Sequence, residues 1–332
     1  MTPCYETRKN MDRVTVAICT WNRAKLLDQT LARMHELRVP SDVEWELLVV
    51  NNNCTDDTDA VIARHQGALP IRRLFEPRQG LSNARNCAVA AARGNLLIWT
   101  DDDVLVEPQW LAAYIEAAGR WPEAVYCGGA IEPWFEITPP RWISENVNCL
   151  KAMLLKADLG SEERYYSGTE MPAGANMGFR TEVLKTYRFD TNLGRTGNDN
   201  ISGEDNAVID ALRSRGLRGV WIPCARVKHF VTKQRLTRHY LWAFYYGCGR
   251  SSVRLEGIPQ IGRRWGGVPR WLIRQAVESW LLAQWKRLWS RTGWVSTYLN
   301  AAVAWGMIAE FRHLAGSGRS VNAENRQLDG SL

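Results

Sequence analysis

The sequence predicts an α/β fold: a mostly parallel sheet flanked by helices, with a helical appendage at the C-terminal end. Three observations predict it. Short apolar runs rich in strand formers recur at residues 14–19, 46–50, 71–75, 96–99 and 124–130. Stretches with helical spacing separate them at the interval expected of strand–helix–strand units. Beyond residue 240 the strand pattern gives way to helical spacing rich in Trp and Arg.

Taken in order, residues 14–19 read as a buried strand followed by Thr20-Trp21-Asn22-Arg23. Residues 24–37 then carry Leu27, Leu31 and Met34 on one helical side. The second strand runs into Asn51-Asn52-Asn53-Cys54-Thr55-Asp56-Asp57, where Thr55 or Asp56 can cap a helix reaching about residue 65. A third strand at 71–75 and an Ala-rich helix at 81–92 follow. The strand at 96–99 then enters three consecutive carboxylates, Asp101-Asp102-Asp103. A helix over 108–119 starts with Pro at its first position, and a strand follows at 124–130. Thr20, Asn51, Glu76 and Asp101 each follow a strand, so the topology brings them to one rim, where ligands of such sheets bind. Residues 131–171 read as a long loop with short helices, plausible as a substrate-covering insert. Residues 173–180 read as a small-residue strand open to close ligand approach. A helix over 206–215 opens behind Gly203-Glu204-Asp205, and two short strands are expected at 219–222 and 225–229.

Three adjacent acids repel one another, so the cluster at 101–103 needs a reason. Asp-x-Asp at a strand end suits a hard divalent ion held by oxygen. The same acids alone would also fit a solvated turn or a helix N-cap ahead of Glu107-Pro108.

Bulk composition is that of a globular protein: 332 residues, 45% hydrophobic and 23% charged. Eight cysteines are scattered without a C-x-x-C pair, which fits reduced thiols in a cytoplasmic setting. No signal peptide is visible in residues 1–10, and no run reaches the roughly 18 apolar residues of a spanning helix. The net charge of +7 is concentrated between Arg250 and Arg291, where nine Lys/Arg face two acids. No nucleic-acid-binding motif accompanies it.

The pieces VTVAICTWNR, ELLVVNNNCTDDT, QGLSNARNCAVAAARGNLLIWTDDDV, GANMGFR, GEDNAVIDALRSRG and IPCARVKH stand in this order over residues 13–230. Together they resemble the inverting family 2 glycosyltransferases with the GT-A fold. The resemblance implies transfer of one sugar from a nucleotide diphosphate sugar, a UDP-sugar first, to a hydroxyl of a glycan or lipid-linked acceptor. It implies a divalent cation, Mn²⁺ or Mg²⁺, on Asp103 with His229 joining the metal shell. It implies nucleotide or donor contacts from Thr20, Arg23, Asn51, Arg85, Asp101 and Asp102, and a donor-sugar contact from Asn176. Asn51 departs from the Asp usual there and can accept a hydrogen bond only without charge. Asp205 is implied as the catalytic base, with Glu204 as the next candidate. Acids there would also serve a helix N-terminus.

The expected organisation is an N-terminal tail at 1–12 and a catalytic domain at 13–230, divided at 130 into nucleotide-sugar and acceptor halves. A basic Trp-rich helical region at 231–315 and a flexible tail at 316–332 follow. The segment Gln234-Arg235-Leu236-Thr237-Arg238 is not the Q-x-x-R-W signature of processive synthases, so single transfer is expected. In a helix over 271–289, Ile273, Val277, Trp280, Leu281, Trp285 and Leu288 share a face bordered by Arg270, Arg274, Arg287 and Arg291. That pattern suits an anionic membrane surface, hence peripheral attachment to the inner face of the cell membrane. Its rival is a helix packed on the core or on a second copy. Two other readings are a sugar-phosphate nucleotidyltransferase, whose Gly-rich basic loop is missing after the first strand, and a silent glycan- or membrane-binding scaffold.

Overall fold

A computed structural model describes residues 13–197, 201–256 and 263–316. The expected N-terminal tail, and the C-terminal tail apart from Gly316, lie outside them. The chain forms two compact units. The first holds residues 1–134, 154–192 and 204–231; the second holds 135–153, 193–203 and 232–332.

In the first unit, β1 (Arg13–Thr20), α1 (Ala24–Met34), β2 (Glu44–Asn51), α2 (Thr58–His65), β3 (Ile71–Phe75), α3 (Leu81–Ala91) and β4 (Leu96–Asp101) alternate as expected. β1 pairs in parallel with both β2 and β4, and β2 with β3. Then come β5 (Val104–Val106), α4 (Trp110–Arg120), β6 (Ala124–Phe135), β7 (Arg164–Tyr165), β8 (Asn176–Arg180), α7 (Thr181–Thr186), α8 (Glu204–Arg213) and β9 (Arg218–Val231). The single turns α5 (Arg141–Ser144) and α6 (Lys151–Leu154), between β6 and β7 in the chain, belong to the second unit apart from Leu154. The sheet order is β3-β2-β1-β4-β8-β6-β9-β5, with β7 pairing to β9.

Side chains of the parallel strands alternate between two buried layers. Val14, Val16, Ile18, Leu47 and Val49 pack with Leu27, Leu31 and Met34 of α1. Ala17, Leu48, Val50, Leu97 and Trp99 pack with α3, α7 and α8 on the other face. Burial on both faces is why these strands read as continuous apolar runs.

Two expectations are corrected. The two strands at 219–222 and 225–229 are one 14-residue strand, β9. Pro223 lies between the two expected pieces, where β9 passes from pairing with β7, at Val220 and Trp221, to pairing with β5 from Val227. A missing N–H is tolerated at such a change of partner. The acids at 101–103 do not cap a helix: they form the turn from β4 into β5.

The second unit contains a 3₁₀ turn (Lys233–Leu236), α9 (Arg238–Glu256), the hairpin β10 (Arg264–Trp265) and β11 (Val268–Pro269), α10 (Arg270–Trp289) and α11 (Val295–Gly316). Val253, Val268, Leu272, Ala276, Ala304, Ile308 and Phe311 form its core. α9 and α11 meet backbone to backbone. A Cβ on Gly249 would collide with the Val303 carbonyl oxygen, and one on Gly306 with that of Tyr246. Below this contact, the buried Glu310 carboxylate accepts from Arg250 Nε at 2.8 Å and Arg254 Nε at 2.6 Å.

Candidate active site

The register of the parallel strands sets the rim. Thr20 lies opposite Asn51, Asn51 opposite Phe75, and Cys19 opposite Asp101. Thr20, Asn51, Glu76 and Asp101 therefore reach the same carboxyl edge, as the topology requires.

Asp102 is buried and fastened on three sides. Its Oδ2 accepts from Thr20 Oγ1 at 2.7 Å and its Oδ1 from Arg23 Nη1 at 3.0 Å. Its carbonyl accepts from Thr30 Oγ1 at 2.9 Å. Burial pushes the Asp102 carboxyl up to about 6; Arg23 pulls against this and Asp103 adds to it. The same Arg23 Nη1 donates to Asp103 Oδ2 at 3.1 Å. Asp102 first of all holds Arg23 charged, against the opposing effect of burial. Thr20 and Arg23, expected at the nucleotide, thus also build the acid turn.

Asp103 and His229 come from adjacent antiparallel strands, with Val104 in register with His229. Both are buried, and His229 Nε2 lies 3.6 Å from Asp103 Oδ1. A carboxylate and an imidazole at this separation fit two neighbouring ligands of one divalent ion, and the mixed O/N set suits Mn²⁺. Among the described residues no group of three or more His, Cys, Asp or Glu side chains could hold a metal. Two protein ligands are enough for a cation that also takes phosphate and water oxygens.

The second acidic pair opens α8. Arg85, in the middle of α3, is buried and donates from Nη1 to Glu204 Oε1 at 2.8 Å. Its guanidinium carbon lies 5.2 Å from the Phe189 ring centre and 5.8 Å from that of Trp99. Burial works against the Arg85 charge, yet Glu204, Asp205 and Asp101, in that order, outweigh it and raise its pKa. Acids of both motifs thus favour the charged form of one guanidinium. Their roles divide by environment: Glu204 is buried against Arg85, whereas Asp205 is half-buried, its Oδ1 accepting from the Asn206 N–H at 2.9 Å. Gly174 makes room between these groups. A methyl there would sit 2.5 Å from Arg85 Nη2 and 3.1 Å from Asp205 Oδ2.

Asn176 corrects an expectation. It is fully buried, and its amide oxygen accepts from Trp110 Nε1 and Tyr114 Oη, both at 2.8 Å. Its nitrogen donates to the carbonyls of Ala130 at 3.0 Å and Ala225 at 2.7 Å. All four hydrogen-bonding positions are occupied inside the fold, leaving none for a donor sugar. Asn51 is engaged as well: its Oδ1 accepts from the Cys54 N–H at 2.8 Å and its Nδ2 donates to Asp59 Oδ1 at 2.7 Å. Asp59 in turn takes two bonds from Arg73.

Sequence reasoning missed Gly174, Asp59 and Asn52. Asn52 ties down the connection between β3 and α3, accepting from Gly80 N–H and donating to the carbonyls of Glu76 and Arg78. The Asn triplet at 51–53 was the available signal, since Asn is frequent where side chains replace backbone partners in turns.

Residues 15–188 match the family model described as glycosyl transferase family 2. The succinoglycan biosynthesis protein ExoM of Rhizobium meliloti is 25% identical over 248 residues, 73% of this chain and 74% of that protein. The glucosyl-dolichyl phosphate glucuronosyltransferase of Haloferax volcanii is 24% identical over 240 residues, 67% of this chain and 71% of that one. Among solved structures, the mannosyltransferase PcManGT of Pyrobaculum calidifontis, in complex with GDP-Man and Mn²⁺, superposes with a TM-score of 0.59 at 19% identity, over 90% of this chain and 86% of its own. The S. aureus TarS 1-349 complex with UDP-GlcNAc does so at 0.53 and 12% identity, over 93% of each chain. These likenesses agree with a GT-A-like sheet carrying C-terminal helices. With the family model spanning more than half its length, the chain belongs to glycosyl transferase family 2 and is a nucleotide-sugar glycosyltransferase.

Proposed function

We propose that this enzyme moves a single sugar, with inversion, from a nucleotide diphosphate sugar to a hydroxyl of a glycan or lipid-linked acceptor. A UDP-sugar is the donor in this reading, and the setting is assembly of cell-surface polysaccharide or glycoconjugate on the cytoplasmic side. The observation that carries it is the buried Arg85–Glu204 pair at 2.8 Å at the start of α8, with Asp205 beside it across Gly174.

Asp205 takes the proton of the acceptor hydroxyl as its oxygen attacks the anomeric carbon, and the bond to the diphosphate breaks on the opposite side. Half-burial leaves Asp205 reachable, while Arg85 and Glu204 fix the start of α8 beneath it. Thr20, Arg23, Asp101 and Asp102 shape the nucleotide side. Asn51 contributes there through the turn it holds with Cys54 and Asp59. Asp103 and His229 would hold a divalent cation, which when bound neutralises charge on the departing diphosphate. The seven free cysteines among the described residues accord with a reducing compartment.

The test is a screen of nucleotide sugars for transfer or hydrolysis, with and without EDTA, for wild type and Asp205→Asn. The variant keeps size and loses proton acceptance. It should cut kcat by on the order of 10² to 10⁴ while donor affinity stays within about threefold. Near-normal kcat would remove Asp205 from the role, and retention of configuration in the product would remove the inverting mechanism.

A further inference from the structure

We infer that the outward face of α10 docks onto an anionic lipid bilayer. Within the second unit, α10 buries only a narrow stripe, Leu272, Ala276 and Ala283. The opposite side carries Val277, Leu281, Trp285 and Leu288, spaced four, four and three residues apart and all exposed; Trp289 borders them. Leu288 and Trp289 are each 77% exposed. A contiguous apolar surface of this kind marks an interaction site.

Charge decides what covers it. Residues 263–291 contain seven Lys/Arg and one acid, Glu278. Arg270, Arg274, Arg287 and Arg291 are all exposed. Arg270 and Arg274 share the stripe's side of the helix, Arg287 lies 5.7 Å from the Trp294 ring centre, and Arg291 follows the helix end. Glu278 is paired to Arg274 at 2.7 Å, and the stretch keeps a net charge of +6 (seven Lys/Arg less one acid). The hairpin leading into α10 adds exposed Arg263, Arg264 and Trp265.

The chain's own segments beyond the described residues are poor covers: 1–12 and 317–332 are mostly polar, and 198–200 and 257–262 are only three and six residues long. A second copy would set one basic face against another. A nucleic acid would engage the arginines but leave Leu281 and Leu288 in water. A bilayer of acidic lipids satisfies both features, since headgroups take the guanidiniums while indoles and leucines enter the interface. The 20 residues of α10 span about 30 Å, enough to lie flat on such a surface. No helix of the described residues is long and apolar enough to cross a membrane. The inference rests on the proposed function for its purpose alone: a surface-held enzyme meets a lipid-linked acceptor.

The experiment floats the full chain with vesicles of phosphatidylcholine containing about a third phosphatidylglycerol, with neutral vesicles as control. A melting curve and a solution mass accompany each sample. Wild type should bind the acidic vesicles and release as salt rises. Each lost cation weakens partition about fivefold. The variant R270Q/R274Q/R291Q should therefore bind on the order of a hundredfold more weakly with an unchanged melting curve. L281S/W285S keeps every charge and should also bind more weakly, while Glu278→Gln should bind a few times more tightly.

Absence of flotation at low salt overturns the proposal. So does a dimeric mass that L281S/W285S abolishes, which makes a second copy the occupant. So does a lowered melting temperature in both multiple variants with vesicle binding unchanged. Flotation uses no donor sugar, so binding without turnover would refute the transferase mechanism and leave this inference standing.

Discussion

Replacing Arg85 by Met and Glu204 by Gln breaks the same buried ion pair from its two ends, and the structure makes the two outcomes unequal. Both side chains are at most 5% exposed and meet at 2.8 Å. Removing one partner of such a pair strands a charge in low dielectric and costs about 3–5 kcal/mol. Arg85→Met falls at the upper end. It leaves Glu204, Asp205 and Asp101 without their shared counter-charge and removes the cation from beside Trp99 and Phe189. Glu204→Gln falls lower, about 1–3 kcal/mol, because Asp205 and Asp101 still offset Arg85 and an amide oxygen can accept its hydrogen bond. The double variant R85M/E204L strands no charge within the pair and should lose less than the two single costs combined. Urea titration with tryptophan fluorescence reads all of these, analysed unit by unit because a two-unit chain need not unfold in one step. Equal losses below about 1 kcal/mol in both single variants, or strict additivity in the double, would refute the reasoning.

Asp103→Ala should abolish the part of nucleotide binding that depends on Mn²⁺, measured by calorimetry with and without the ion; equal affinity in both conditions would remove Asp103 as a ligand. Asn176→Leu should destabilise the chain by several kcal/mol, because it strands the Trp110 N–H, the Tyr114 hydroxyl and two carbonyls, each orphan costing about 1–3 kcal/mol. Any Asn176 variant that still folds should keep its donor KM, which a sugar-binding role would not allow. The Glu170 carboxyl is held down to about 2, chiefly by Arg164 and also by the Ser167 N–H. Its stabilising contribution is complete above its ordinary value of 4.5 and disappears as pH falls through about 2. Glu170→Gln should therefore lower the melting temperature at neutral pH and flatten that acid limb.

The legible features were those written within one turn or one strand. Residues 14–19 and 96–99 announced strands because both of their faces are buried, and Leu27, Leu31 and Met34 announced the face of α1 by spacing alone. The rim followed from topology, since parallel strands end together. What stayed hidden depends on partners far along the chain. Arg85 and Glu204 are 119 positions apart, and nothing local marks either as half of a pair. Asn176 suggested a ligand because it is a polar residue among small ones, yet its partners Trp110 and Tyr114 lie more than 60 positions earlier. The unity of β9 stayed hidden for a related reason: Pro223 sits inside it, and only the strand partners on either side carry the strand through.

The notched crossing of α9 and α11 bears on how freely the C-terminal helices can change. With Gly249 and Gly306 each lying against the other helix's backbone, the two helices have no side-chain cushion there to absorb a slip. Sliding one past the other by a turn would pull Glu310 away from Arg250 and Arg254 and bury it with no cation beside it. The pair therefore acts as a keyed mount with one seating. α10 is attached to that mount through Leu272 and Ala276, which pack with Val253, Ala304, Ile308 and Phe311, so the exposed Leu281, Trp285 and Leu288 are not part of its seating. A substitution on that exposed face therefore alters what the helix meets without altering what holds it in the second unit.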